Sequence, residues 1–415
     1  MNDETTATDV VTDDVLSDEW CKEQFDYTSP EVAQHLHPTL ARMRAMCPVT
    51  HSSARGGYWV LTGYEDVVRG LQDWETLSSE LGVSIPHSPA GAVPAIPEHI
   101  DPPLQRIYKK LISTYFTPAV VRPYEQQTRE LVTNLIDEFI EAGECDFMVD
   151  FAKPFPGLAF FDLVLAAPRD ELGTVAALAQ RVSTPTNPNQ KDDWVALSRW
   201  ISGFVEARRA QPPKGDVVDA ILAADIDGRP ITETEILGII LLLILGGLDT
   251  TAGVLGQVML RFIREPEIPA QLRREPELIP AALEELLRLD GSFIAIGRTV
   301  RNDTVLDDNK VAAGEKVLLS FASANRDETE FPNPNAFDIA RPRNRHIAFG
   351  AGPHRCVGSN LARLNLRIAL HEIVQRLDDI ALVGREEDVP FHSAFNRSPL
   401  SIPITFRPGP RIGKS

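Results

Sequence analysis

Between Thr232 and Arg264 the chain carries 33 residues that read as one helix, about 50 Å long at 1.5 Å per residue. Thr232 and Glu235 have the spacing of a capping box that starts a helix, and Glu265-Pro266 stops it. From Ile236 to Leu245 the stretch is apolar on every side, so it belongs in an interior and needs other helices around it. Its longest apolar run, Ile236 to Leu248, has 13 residues, short of the roughly 20 that a bilayer-spanning helix needs. No membrane span is expected.

The rest of the chain has to supply that shell. With 415 residues, 43% hydrophobic and 24% charged, it has a globular composition, unlike a coiled coil, collagen or a wholly disordered chain. Lys+Arg 41 against Asp+Glu 59 gives a net charge of −18, which argues against nucleic acid or an anionic membrane as the main partner. Cys21, Cys47, Cys145 and Cys356 form no CxxC pair, so neither a disulfide framework nor a four-cysteine zinc site is indicated and a reducing cytoplasm fits. The acidic, polar stretch over residues 1–18 reads as a disordered tail rather than a signal peptide.

Tyr58 to Leu61 reads as a strand, and Tyr64 to Leu71 as helix. Residues 78–103 hold six prolines and form a long loop, the kind that is usually functional or disordered. Helical patterns follow over Leu104 to Tyr115, Val120 to Ala142 and Asp170 to Val182, with Pro185 to Asp193 a plain loop. Ile279 to Leu289 is a further helix, Lys316 to Phe321 a strand, and a last long helix runs from after Cys356 to about Leu377. The fold class is mainly α with small β-sheets.

The sharpest chemical signal is Phe349 to Gly358, FGAGPHRCVG, in which one cysteine sits in a glycine-rich loop at a helix start. Loop amides and a helix N-terminus stabilise a thiolate there, and such a sulfur suits a metal. An isolated cysteine is more often a buried structural residue, but three glycines, Phe349 and His354 at fixed spacing argue against chance. Zinc competes, with His346 and His354 nearby, yet a structural zinc site takes four ligands and no second cysteine is close in sequence. The segment resembles the haem-binding loop of the cytochrome P-450 family, FxxGxxxCxG. The resemblance implies that Cys356 is the thiolate ligand to haem iron, with Phe349 shielding the sulfur and His354 and Gly358 within the same cofactor-binding loop.

Further motifs carry the resemblance along the chain. Gly246-Gly247-Leu248-Asp249-Thr250-Thr251 places two glycines inside the long helix, where each costs about 1 kcal/mol relative to alanine. Glycines with threonines there favour a kink. Close packing is the plain explanation, but the pattern is similar to the family's oxygen-activating groove, which implies that Thr250 hydrogen-bonds dioxygen and Asp249 relays protons. Glu285-Leu286-Leu287-Arg288 is ordinarily a helix surface pair, but with Gly297-Arg298 after it the segment is similar to the family's structural ExxR pair and propionate-binding arginine. By the same resemblance His346 holds the other propionate region. Two departures stand out. Gln105 and Lys109 replace a common His/Arg pair, leaving Lys109 to meet a propionate as a point charge, and Ala336 stands where an arginine often completes the ExxR network, leaving Arg341 to substitute.

The resemblance thus implies one cytochrome P-450 domain over residues 19–415, with haem b (iron protoporphyrin IX) between the long central helix and the helix after the cysteine. The implied activity is monooxygenation of a small or medium hydrophobic molecule by a cytoplasmic monomer. Electrons would come from a separate iron–sulfur ferredoxin and its reductase, so that NAD(P)H acts only indirectly. A peroxide-driven haem-thiolate enzyme and a non-catalytic haem sensor are the alternatives. The implied pocket is lined by the 78–100 loop, the loop near Thr184 to Asp193, and Leu242, Leu245, Gly246, Phe293, Ile294, Ile296 and Phe395. Six arginines and no carboxylate lie between Arg341 and Arg367. Arg355 and Arg363, with Lys110, are therefore the expected docking cations for an acidic ferredoxin.

Overall fold

The computed structural model describes residues 17–86, 93–184 and 187–413. Its central beam is the helix Glu233–Arg264, begun by the expected capping box. The Thr232 hydroxyl accepts from Glu235 N–H, and the Glu235 carboxylate accepts from Thr232 N–H at 2.7 Å. The helix is long and apolar enough to cross a bilayer, but most of its residues are buried in this fold, so its apolar surface is used as core. The helix is unbroken through Gly246–Thr251, where the sequence suggested a weak point. Packing explains the continuity, because a Cβ on Gly247 would stand 2.6 Å from the Phe160 ring. The close approach that glycine permits offsets its low helix propensity.

Polar pairs fix this beam to its neighbours. Arg261 Nη2 donates to Asp290 Oδ1 at 2.9 Å, joining it to the helix Ile279–Asp290, and both side chains are buried. Arg397 Nη1 donates to Gln257 Oε1 at 2.6 Å, which ties the strand Arg397–Pro399 to the beam. Around it lie Pro154–Phe160, Leu172–Val182, Gln190–Arg209 and Ser359–Arg376, with which it shares the largest apolar cluster.

The larger sheet builds its own apolar cluster beside the helical one. A five-stranded sheet runs in the order Val49–Ser52, Tyr58–Leu61, Lys316–Ser320, Ala295–Val300, Leu77–Ser78. Only the Tyr58–Leu61 and Lys316–Ser320 pair is parallel, with Val60 opposite Leu318. Its role for the site is to deliver Ile296 and Arg298 from one strand. A three-stranded sheet and two hairpins complete the β structure among the described residues.

Several boundaries differ from the sequence reading, among them the helix expected to reach Ala142, which ends at Asp137. The loop expected over 185–193 is shorter, since Gln190 already begins the helix to Arg209, and residues 185–186 lie outside the described residues. Of the expected tail, residues 1–16 also lie outside them, whereas Ser17 caps the helix Asp18–Glu23 by accepting from Trp20 N–H.

Candidate functional site

Backbone bonds close the cysteine loop on itself. Cys356 N–H donates to the Phe349 carbonyl and Gly350 N–H to the Ile347 carbonyl, each at 2.8 Å. Gly352 has φ +66°, and a Cβ there would stand 2.4 Å from the Leu71 carbonyl. Only glycine satisfies both the left-handed backbone and the approach to the end of the helix Tyr64–Gln72. Gly358 is the N-cap of the helix Ser359–Arg376, and its N–H reaches the Cys356 sulfur. The thiol is accessible, but its enclosure by the surrounding loop and helix pushes its pKa up, against that N–H and the charges of Lys109, Arg355 and Arg363.

The helix Leu104–Ser113 braces the loop from outside. Gln105 Nε2 donates to the Pro353 carbonyl at 2.7 Å, and Lys109 Nζ donates to the Pro353 and Arg355 carbonyls. Between them the Tyr108 hydroxyl donates to Glu235, the capping-box carboxylate of the long helix. This one short helix therefore links the start of the beam to the cysteine loop.

A cavity of about 280 Å³ brings the two together. Phe349, Cys356 and Gly358 line it, as do Gly246, Gly247, Thr250 and Thr251 of the long helix. A Cβ on Gly246 would meet nothing within 4 Å. The Thr250 hydroxyl donates to the Gly246 carbonyl at 2.9 Å. Leu242, Phe293 and Ile296 contribute apolar wall, together with Ile112, Phe116, Phe160 and Val254, which carried no signal in sequence distinguishing them from core. A separate, more polar cleft of about 460 Å³ lies beside Asp66, Arg69 and Asp307, away from this chemistry.

Cations and a neutral imidazole complete the lining. Arg298 is 2% exposed; one Nη donates to the Gly297 carbonyl at 2.8 Å, and Nη2 is buried without a partner. Burial lowers its pKa to about 10, against the charges of Glu98 and Asp101. A buried guanidinium with a spare donor beside an apolar cavity is suited to an anion. Burial likewise pushes His354 down to about 3, leaving it neutral at ordinary pH. Its Nε2 lies 3.2 Å from the Ser79 hydroxyl, which donates to Asp101 at 2.8 Å. An accessible thiol, apolar walls and a buried cation fit a flat hydrophobic macrocycle that carries carboxylates and a thiolate-seeking iron. The donor set therefore fits haem. Among the described residues no group of three or more His, Cys, Asp or Glu gathers as a metal site, so the zinc reading finds no ligand set.

Several expected residues lie elsewhere. His346 does not line the cavity: its Nε2 is 3.0 Å from Glu284 and its Nδ1 accepts from Ala348 N–H at 3.2 Å. Both ring nitrogens are thus engaged within the protein. Leu245 packs at the edge of the core, Ile294 is buried in the cluster beneath the N-terminal helices, and Phe395 stacks on Phe293 at 6.2 Å without reaching the cavity. Asp249 is half-buried outside the cavity lining, beside Asn396, His392 and Lys153. Burial raises its pKa, against the charges of His392 and Lys153. Of the expected loops, Pro97 and Glu98 reach the cavity, whereas Thr184 and residues 187–193 do not.

The ExxR pair is buried and closed as expected from Arg341. Arg288 meets Glu285 through two bonds of 2.7 and 2.8 Å and also donates to the carbonyls of Asn325, Pro334 and Ala336. Arg341 Nε reaches Glu285 at 3.1 Å. Ala336 thus contributes its backbone where a side chain was lacking. The apparent basic run is largely neutralised in three dimensions. Arg341, Arg345, Arg363 and Arg367 pair with Glu285, Glu330, Glu284 and Glu125.

A glycine-braced thiol facing a long helix across an apolar cavity is the arrangement a haem-thiolate protein requires. The family model described as Cytochrome P450 matches residues 161–399. The steroid C26-monooxygenase of Mycobacterium tuberculosis (strain CDC 1551 / Oshkosh) is 32% identical over 381 residues, covering 89% of this chain and 100% of that protein. Nocardicin C N-oxygenase of Nocardia uniformis subsp. tsuyamanensis is 32% identical over 391 residues, covering 90% and 96%. Among solved structures, cytochrome P450 CYP109Q5 from Chondromyces apiculatus superposes with a TM-score of 0.82 at 28% identity, covering 94% of this chain and 99% of that one. The chain belongs to the cytochrome P450 family and is a haem-thiolate monooxygenase, an oxidoreductase.

Proposed function

We propose that Cys356 would be the thiolate ligand to the iron of haem b, that Arg298, His354 and Lys109 would serve its propionates, and that Gln105 holds the cysteine loop. The observation that carries this reading is the meeting of Cys356 and the unpaired Arg298 Nη2 at one apolar cavity. When bound, haem supplies oxygen activation, RH + O2 + 2e− + 2H+ giving ROH and water. The protein orients substrate and delivers protons. Thr250, fixed by its bond to Gly246, presents its oxygen to the cavity. Asp249 sits behind it with a raised pKa, nearer the range in which a carboxyl both takes and gives a proton.

The substrate proposed is a small or medium hydrophobic molecule. Phe116, Phe160, Leu242, Phe293 and Ile296 support that reading, because they discriminate by shape rather than charge. The relative named for a steroid is consistent with it. Electrons are proposed to come from a ferredoxin and its reductase, with NAD(P)H the indirect source. Lys110 and Arg355 are exposed and make no ion pair among the described residues, so they support a cationic docking face, whereas Arg363 is already paired. Cys356→Ser tests the ligand: the ferrous carbonyl complex should lose its red-shifted thiolate band, and a variant that keeps the band overturns the assignment. A spin-state titration with hydrophobic compounds, steroids included, tests the substrate class.

A further inference from the structure

Glu284 precedes the ExxR glutamate by one residue, and its carboxylate faces the cysteine loop. Arg363, on the helix after Cys356, donates to it through two bonds, Nε to Oε1 at 2.7 Å and Nη2 to Oε2 at 2.8 Å. The same guanidinium lies over the Phe349 ring, 4.5 Å from its centroid. Phe349 in turn accepts the Cys356 N–H on its carbonyl and shares the cavity lining with the sulfur. His346 completes the group. Its Nδ1 accepts from Ala348 N–H, so in the neutral tautomer Nε2 carries the proton and donates to Glu284 at 3.0 Å.

We propose that Glu284 and Arg363 form a charge clamp that acts through Phe349 to set the reduction potential of the thiolate-bound iron. The proposal rests on Cys356 being the haem ligand. A cation over the ring face draws on its electron-rich π surface and stabilises negative charge on the sulfur beside it. Groups beyond the ligand tune a metal in this way. Glu284 partly cancels that cation, so the pair holds the potential between two extremes. Both are positioning residues, and neither touches the reacting atoms. Arg363 is thus withdrawn from the docking role that its place in the sequence suggested.

The clamp predicts shifts of opposite sign. Arg363→Gln leaves Glu284 uncancelled and lowers the potential, whereas Glu284→Gln leaves the cation uncancelled and raises it. The double variant returns close to the parent, and Arg363→Lys, which keeps charge but loses the planar stack and the fork, falls between. Dye-coupled spectroelectrochemical titration of the haem-loaded protein reads each value. The expected change in the ferrous-to-ferric ratio at fixed poise is about threefold or more in each direction, where tenfold corresponds to about 59 mV for one electron. Shifts of the same sign in both single variants, or none, overturn the clamp and leave a merely structural tie. Loss of the thiolate-type carbonyl band in the parent protein itself would instead overturn the ligand assignment beneath it.

Discussion

The two boundaries of the cavity are built by opposite means. On the cysteine side, polar groups from distant segments converge: Gln105 and Lys109 on the Pro353 and Arg355 carbonyls, and, outside the lining itself, Glu285 on Arg288 and Arg341. On the long-helix side, the cavity meets glycine, two threonines and hydrocarbon, with the Thr250 to Gly246 bond local to the helix. Directional bonds specify one geometry and are costly to break when buried. Apolar contact tolerates exchange of side chains of similar volume. A family that keeps one cofactor and varies its substrates can therefore hold the first boundary fixed and alter the second.

The comparison breaks most visibly if the polar side proves dispensable. Glu285→Ala leaves Arg288 buried without its carboxylate, and should cost about 3–5 kcal/mol, read as a lowered unfolding midpoint and loss of retained haem. An unchanged midpoint would remove the contrast. On the other boundary, adjacent glycines should behave differently. Gly247→Ala forces a methyl into the Phe160 ring and should cost about 1–3 kcal/mol from overpacking, less roughly 1 kcal/mol gained in helix propensity. Gly246→Ala faces open cavity, so it should be neutral or slightly stabilising while altering which hydrophobic ligands shift the haem spin state. Thermal unfolding paired with ligand titration separates the two.

A smaller stability effect is expected from Thr250→Ala, which removes one helix-local bond worth about 0.5–1.5 kcal/mol. Its catalytic effect is larger: NADH consumption through surrogate redox proteins continues, but electrons appear as hydrogen peroxide. Product formation at parental coupling would exclude Thr250 from proton delivery. The last effect appears only in acid. Burial works to raise the Glu284 pKa, but Arg363 and His346 prevail and hold it down at about 2, below its ordinary 4.5. A depressed carboxyl contributes stability above its unfolded pKa and loses it as pH falls through the folded value. Between pH 4.5 and about 2 the parent should therefore lose more stability than Glu284→Gln, as acid unfolding curves would report.

Legibility followed sequence locality. The long helix could be read because its cap, apolar run and stop lie in one continuous segment, and the cysteine loop because its glycines surround the sulfur. Phe116 and Phe160 could not be assigned, since an apolar residue facing a cavity has the same periodicity as one facing core. Leu245 illustrates a signal that was present but unused. The cavity stripe steps by four through Leu242, Gly246, Thr250 and Val254, which leaves Leu245 and Asp249 together on the adjacent stripe. His346 shows the reverse, a motif neighbour drawn away by Glu284, 62 residues distant. No local pattern announces such a partner.

The helix Leu104–Ser113 has a further consequence for how this chain tolerates change in length. Tyr108 is bonded to the foot of the long helix, while Gln105 and Lys109 hold the cysteine loop. These attachments coexist only at the angular spacing of a helix, about 100° per residue, which puts Gln105 and Lys109, four steps apart, on one face and Tyr108 to the side of them. A single residue inserted between Tyr108 and Lys109 would turn one attachment away from the other, however well the new residue suited a helix. Insertions that a surface loop absorbs at little cost are therefore excluded from this one turn, which works as a gauge block between the long helix and the cysteine loop.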